Sequence, residues 1–134
     1  PGTVSGHFIG GNLSMIYSLV GSNSLPTNWQ DIILFIEEVD EYIYHIERML
    51  VSLDRAGILP SIKALVLGSF TDIHDHETPL GKTVFQIVEE VAGKYGYPIV
   101  SDFPAGHGVV NKPFWHGYRY KVIISKNRCT FALY

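Results

Sequence analysis

The sequence predicts an α/β domain with a small parallel or mixed sheet, flanking helices and a C-terminal β-hairpin. Two continuous apolar runs of strand length, residues 32–36 and 64–67, read as strands buried on both faces. Segments of helical periodicity follow each of them, and such alternation of strand-like with helix-like segments marks α/β order. At the end of the chain two strand-like segments, 118–125 and 128–134, follow one another across Lys126 and Asn127 as a hairpin.

Residues 3–9 alternate loosely and read as the first strand. Gly10-Gly11-Asn12 then turns into a short helix over 13–20, with Asn12 as its N-cap. Residues 21–29, rich in Ser, Asn and Pro, read as loop. After the first buried strand, Ile43, Ile46, Met49, Leu50 and Leu53 fall on one face of a helix, and Gly57 suits its C′ position. After the second, the polar loop 71–78 leads to a helix with Val84, Ile87, Val88 and Val91 on its inner side. Ile99 and Val100 form a short strand, followed by the loop 102–113. There is no internal repeat, low-complexity stretch or charge block.

A chain of 134 residues has room for one core, and 46% hydrophobic against 17% charged residues make it a packed protein and not a disordered tail. The net charge of −3 gives no electrostatic footprint for nucleic acid or an anionic membrane. With Cys129 alone, no internal disulfide can form, which suits a reducing compartment. No apolar run approaches the roughly 18 residues of a membrane span. Pro1-Gly2-Thr3 has neither the basic nor the apolar region of a signal peptide. It also lacks an initiator methionine, and the chain is expected to be cut from a longer one.

Two segments could carry chemistry. Glu37 and Glu38 end the first buried strand abruptly, and carboxylates there are costly unless solvated or paired. The C-terminal edge of such a sheet is where ligands gather, and strand alternation sends the two side chains to opposite sides, so one of them is expected in a site. Taken locally, the bland reading is favoured: both cap the strand and face water. The second segment is Pro104-Ala105-Gly106-His107-Gly108. A histidine between two glycines can approach another surface closely and titrates near neutrality, as proton transfer requires. Taken alone, it reads as a turn histidine in solvent.

In order along the chain stand Gly10-Gly11-Asn12-Leu13, Leu34-Phe35-Ile36-Glu37-Glu38-Val39 with Glu41, Ile46-Glu47-Arg48-Met49-Leu50, Leu65-Val66-Leu67-Gly68 and Pro104-Ala105-Gly106-His107-Gly108. This series, spanning nearly the whole chain, resembles the C-terminal domain of the LD-carboxypeptidase family, which includes the microcin-immunity serine peptidases. Several spaced motifs in one order are far more specific than any one of them. The resemblance implies that Glu37, first in Glu37-Glu38 where the family commonly has Glu-Asp, is the catalytic carboxylate, and that His107 is the catalytic histidine. Glu47 stands where an aspartate before arginine is frequent. The resemblance further implies a swivelling β/β/α domain, a cytoplasmic enzyme, commonly a homodimer, and an active site shared with an N-terminal domain that carries the serine. The implied reaction removes the terminal D-alanine of murein tetrapeptides by cutting an L-D bond, with no cofactor and no metal.

In such a triad the histidine takes the proton of the attacking serine and then gives it to the leaving amine, while the carboxylate fixes the tautomer. The serine itself is expected on the absent domain. No Gly-x-Ser-x-Gly elbow is present, and Ser14 and Ser69 read as structural. The isolated chain is therefore expected to be inactive. A microcin-immunity-type peptidase and a non-catalytic binding or dimerisation domain are the rival readings. The enzyme reading requires Glu37 within hydrogen-bonding reach of a His107 ring nitrogen, roughly 2.6–3.2 Å.

Three further signals are weaker. Asp72-Ile73-His74-Asp75-His76-Glu77 is rich in metal-ligand types, but lacks a third ligand group at suitable spacing and reads as a solvated loop. Gly11 and Asn12 could bind the free carboxylate of a tetrapeptide through N–H groups at the next helix's start, against a tight turn at positive φ, which is slightly favoured. Trp115 and His116 either line the cleft or, for Phe114 and Trp115, belong to the core or an interface.

Overall fold

The computed structural model describes residues 2–126 and 128–134. Of the expected hairpin turn, Asn127 lies outside the described residues, as does Pro1. Nine elements of regular structure position everything that follows: β1 (Gly2–Asn12), α1 (Leu13–Ser18), β2 (Ile32–Val39), α2 (Ile43–Arg55), β3 (Ala64–Thr71), α3 (Val84–Ala92), β4 (Ile99–Val100), β5 (Arg119–Ser125) and β6 (Arg128–Leu133). They form a mixed α/β domain around one six-stranded sheet of order β4-β3-β2-β1-β5-β6. The first four strands in chain order pair in parallel across helical crossovers, whereas β5 pairs antiparallel to β1 and β6 to β5.

Alternation along β2 divides the core in two. Ile32, Leu34 and Ile36 pack beneath the helices, against Ile46, Met49, Leu50 and Leu53 of α2 and Ile87 and Val88 of α3. Ile33 and Phe35 face the other way, into a cluster with Phe8, Val66, Tyr120 and Val122. The sheet curls around this second cluster, so that Val100 on one edge strand and Cys129, Phe131 and Leu133 on the other line one groove. Phe8 touches the rings of Phe35, Phe103, Phe114, Tyr120 and Phe131, which holds the long loop before β5 against the sheet.

The strands outrun their apolar stretches. β2 continues three residues past Ile36 and β3 four past Leu67, because ladder hydrogen bonds are made by the backbone after side chains turn polar. For the same reason Gly10, Gly11 and Asn12 belong to β1, paired with Phe35, Ile36 and Glu37, and not to a turn. Helix α1 ends at Ser18, two residues short of the expected end, and Asn12 caps it by accepting from the Met15 N–H.

At the opposite end of the sheet from Glu37, Asp31 is clasped by Lys63 at 2.5 Å and by the Arg119 guanidinium. Those hydrogen bonds, Arg119 first and Lys63 second, hold its carboxyl at about 2 against an ordinary 3.8. A depressed carboxyl contributes stability above its unfolded pKa and loses it as pH falls through the folded one. Asp31→Asn is therefore expected to flatten the acid limb of stability between pH 3.8 and about 2. The effect is modest, since the pair is well exposed and water screens it. Urea unfolding across that range checks this, and an unchanged acid slope in the variant would contradict it.

Candidate active site

The C-terminal ends of β1, β2 and β3 lie side by side, with Asn12 registered against Glu37. Glu37 is 4% exposed and Glu38 2%, so the bland expectation that both face water is wrong. Burial is tolerable because each carboxylate is met by several N–H donors, and alternation does send them to opposite sides.

Glu37 Oε2 accepts from His107 twice, from ring Nδ1 at 2.8 Å and from the backbone N–H at 3.2 Å. The carboxylate and imidazole, seventy positions apart, meet within the distance the sequence reading requires. Donation from Nδ1 leaves the lone pair on Nε2, and the imidazole is more than half exposed, at 58%. The Glu37 hydrogen bond, then its charge, raise the His107 pKa above its ordinary 6.5; slight burial opposes this and the more distant Glu38 charge adds to it. The site can thus accept a proton at Nε2 and stabilise the imidazolium that results.

Gly106 is what allows so close an approach. At φ +117°, a Cβ there would stand 2.9 Å from Glu37 Oε2 and 3.0 Å from Glu37 Cβ, and would collide with Ser69 Oγ. The loop is further held by Gly106 N–H on Asn111 Oδ1 at 3.3 Å and Lys112 N–H on the Pro104 carbonyl at 2.7 Å. Asn111 carries no sequence signal, because a polar residue in an aperiodic loop does not announce which backbone it serves.

Glu38 faces α1. It accepts from Asn12 Nδ2 at 2.5 Å and from the Ser14 N–H at 2.8 Å, while Asn12 Oδ1 accepts from Ser14 Oγ at 2.6 Å and Met15 N–H at 3.2 Å. The cradle that Gly11 and Asn12 could have opened for a substrate carboxylate at this helix start, the less favoured of the two sequence readings, already holds a carboxylate, that of Glu38. Gly11 borders open space. The Ser14 hydroxyl is engaged by Asn12, and Ser69 Oγ accepts from the Gly108 N–H at 2.9 Å.

Of the remaining signals, His74 pairs with Asp40 at 2.6 Å, and His76 stacks on Tyr42 and Tyr44. Among the described residues, no group of three or more His, Cys, Asp or Glu side chains could hold a metal ion. Phe114 belongs to the second core cluster, whereas Trp115 is 61% exposed. His116 Nε2 lies 3.2 Å from both the N–H and the carbonyl oxygen of Gly10. Among the described residues, no helix is long and apolar enough to cross a membrane.

Comparison with known proteins agrees with this architecture. The family described as LD-carboxypeptidase C-terminal domain matches residues 5–122. A putative carboxypeptidase of Synechocystis is 34% identical over 113 residues, covering 82% of this chain and 36% of the relative. The murein tetrapeptide carboxypeptidase of Pseudomonas aeruginosa is 32% identical over 114 residues, covering 85% of this chain and 36% of the relative. The crystal structure of muramoyltetrapeptide carboxypeptidase from Oxalobacter formigenes superposes with a TM-score of 0.84 at 30% identity, over 96% of this chain and 45% of that one. The microcin C7 self-immunity protein MccF shares the fold, with a TM-score of 0.77 at 24% identity over 90% of this chain and 35% of that one. The chain spans about a third of the length of the curated relatives it matches. By the match over most of its length, this chain belongs to the LD-carboxypeptidase family and corresponds to its C-terminal domain.

Proposed function

We propose that this chain supplies the acid–base half of a Ser-Glu-His carboxypeptidase that removes the terminal D-alanine from murein tetrapeptides by cutting an L-D peptide bond. The observation that supports this most is the buried Glu37 carboxylate on His107 Nδ1, with Nε2 left to the exposed side. In this reading Nε2 takes the proton of a serine held on an N-terminal domain of the same polypeptide, as the hydroxyl attacks the carbonyl carbon. The imidazolium then protonates the leaving D-alanine amine. Glu37 keeps Nδ1 protonated throughout and stabilises the charge on the ring. A water activated by the same nitrogen hydrolyses the acyl-enzyme and restores the serine.

The surroundings suit such a partner. Met15 on α1 and Val109 and Val110 in the loop just after His107 are exposed apolar side chains beside the site, and exposed apolar surface of that kind is expected to be covered. In this proposal the N-terminal domain covers it. A cytoplasmic homodimer acting on peptidoglycan fragments completes the proposal.

The test is release of D-alanine from a murein tetrapeptide by the complete polypeptide and by these 134 residues alone. The complete protein is expected to release it and the isolated chain is not. Hydrolysis by the isolated chain that His107→Ala removes would sink the assignment of the serine to another domain. A complete protein that ignores the tetrapeptide but cleaves a microcin-type peptide conjugate would move the substrate to the immunity branch.

A further inference from the structure

We propose that Ser69 is a positioning residue for His107, delivered to the Glu37 face by a bulge in β3; this rests on the acid–base reading of that pair. The register makes the delivery visible. Ile36 pairs with Leu67 and Glu38 with Phe70, so the single residue Glu37 on β2 stands opposite two residues, Gly68 and Ser69, on β3. With unbroken pairing Ser69 would oppose Glu38 and point beneath the helices. The extra residue instead puts Phe70 on the helix side, where it packs against the larger core, and turns Ser69 to the side of Glu37.

On that side Ser69 grips the His107 loop at both flanks. Its backbone N–H donates to the Ala105 carbonyl at 3.0 Å, continuing the pairing that the Phe103 N–H makes with the Leu67 carbonyl at 3.0 Å. Its Oγ accepts from the Gly108 N–H at 2.9 Å. The two bonds bracket His107, one two residues before it and one directly after. Both neighbouring glycines are crowded onto the same side chain, since a Cβ at Gly108 would stand 2.9 Å from Ser69 Cβ and one at Gly106 would collide with Ser69 Oγ. Ser69 is therefore a template for the loop, and Glu37 completes it by taking the N–H and Nδ1 of the residue between.

Removing the hydroxyl leaves the partly buried Gly108 N–H without its acceptor and frees the far side of the loop. The ring then samples positions in which the Glu37 contact is longer. In the complete polypeptide, Ser69→Ala is expected to lower kcat about tenfold with KM unchanged, as small misplacements of a reacting group do. NMR titration is expected to show the His107 midpoint falling towards 6.5, because the Glu37 bond is what raises it. Faster amide exchange at Gly108 with an unchanged thermal midpoint separates loosening of the loop from loss of the fold.

An unchanged His107 midpoint in Ser69→Ala overturns the proposal. Wild-type turnover in Ser69→Ala beside an inactive His107→Ala overturns the positioning role and leaves the acid–base reading standing. Full activity in His107→Ala overturns the acid–base reading, and the role of Ser69 with it.

Discussion

In the complete polypeptide, His107→Ala is expected to lower kcat on the order of 10⁵-fold and Glu37→Gln about 10⁴-fold, with the fold of both intact. On the proposed acid–base reading the histidine variant loses the group that takes the nucleophile's proton, so what survives is binding and electrostatic stabilisation elsewhere. The glutamine variant is the more instructive of the two. It keeps the size of a side chain that is 4% exposed, so it opens no cavity. Its amide can turn an N–H towards Nδ1, which drives the ring to the other tautomer and puts a hydrogen on Nε2, where the lone pair is needed. The pH dependence carries the same signature. Glu37 raises the His107 pKa above 6.5, and only the neutral ring acts as base, so the acid limb of kcat/KM lies above that value. The acid limb of the residual Glu37→Gln activity is expected at lower pH than that of wild type, because the elevating bond and charge are gone. A rate within tenfold of wild type, or an unmoved acid limb, would show that Glu37 does not orient the base.

That pairing also has a sign for stability. A histidine whose folded pKa exceeds its unfolded one contributes stability fully below the unfolded value and loses it as pH rises through the folded value. The Glu37 contact therefore helps the fold most on the acid side, where the base is protonated and idle. On the proposed reading, the neutral ring that would act as base and the charged ring that stabilises the fold are favoured at opposite ends of the pH range.

The elements that were legible in the sequence are those written in side-chain hydropathy. Residues 32–36 and 64–67 had to be buried strands, and the stripe from Ile43 to Leu53 had to be a helix face, because period and composition both said so. What was not legible is written in the backbone. The ends of β1, β2 and β3 run on through glycines and polar residues, and the bulge opposite Glu37 depends on pairing that hydropathy does not register. For the candidate site, the opposite facing of Glu37 and Glu38 followed from alternation. Their burial did not, since nothing local announces that Ser14 and His107 bring N–H groups to them. The order of spaced motifs carried what single motifs could not.

Gly10→Ala is expected to destabilise the domain by about 4 kcal/mol or more, a large part of the 5–15 kcal/mol typical of a whole domain. Gly-Gly at this position invites the reading of a turn, but the strain lies in a close approach of strands. Gly10 sits at φ +146°, and a Cβ there would lie 2.6 Å from the Phe35 carbonyl carbon, 2.7 Å from its nitrogen and nearer still to its oxygen. These are backbone atoms of the central strand, so no rotamer change can relieve the clash. β1 and β2 must part, and Phe35 lies only two residues before Glu37 on the same strand. A comparison isolates the cause. Gly93→Ala, at φ −59° beside α3 and with nothing within 4 Å of its Cβ, is expected to be neutral or stabilising by a few tenths of a kcal/mol. Urea unfolding of the two variants measures the difference, and a Gly10→Ala protein within about 1 kcal/mol of wild type would contradict the packing described. If Gly10→Ala folds at reduced stability, its His107 midpoint is expected to fall as well. The same displacement that relieves the clash moves the carboxylate away from the ring.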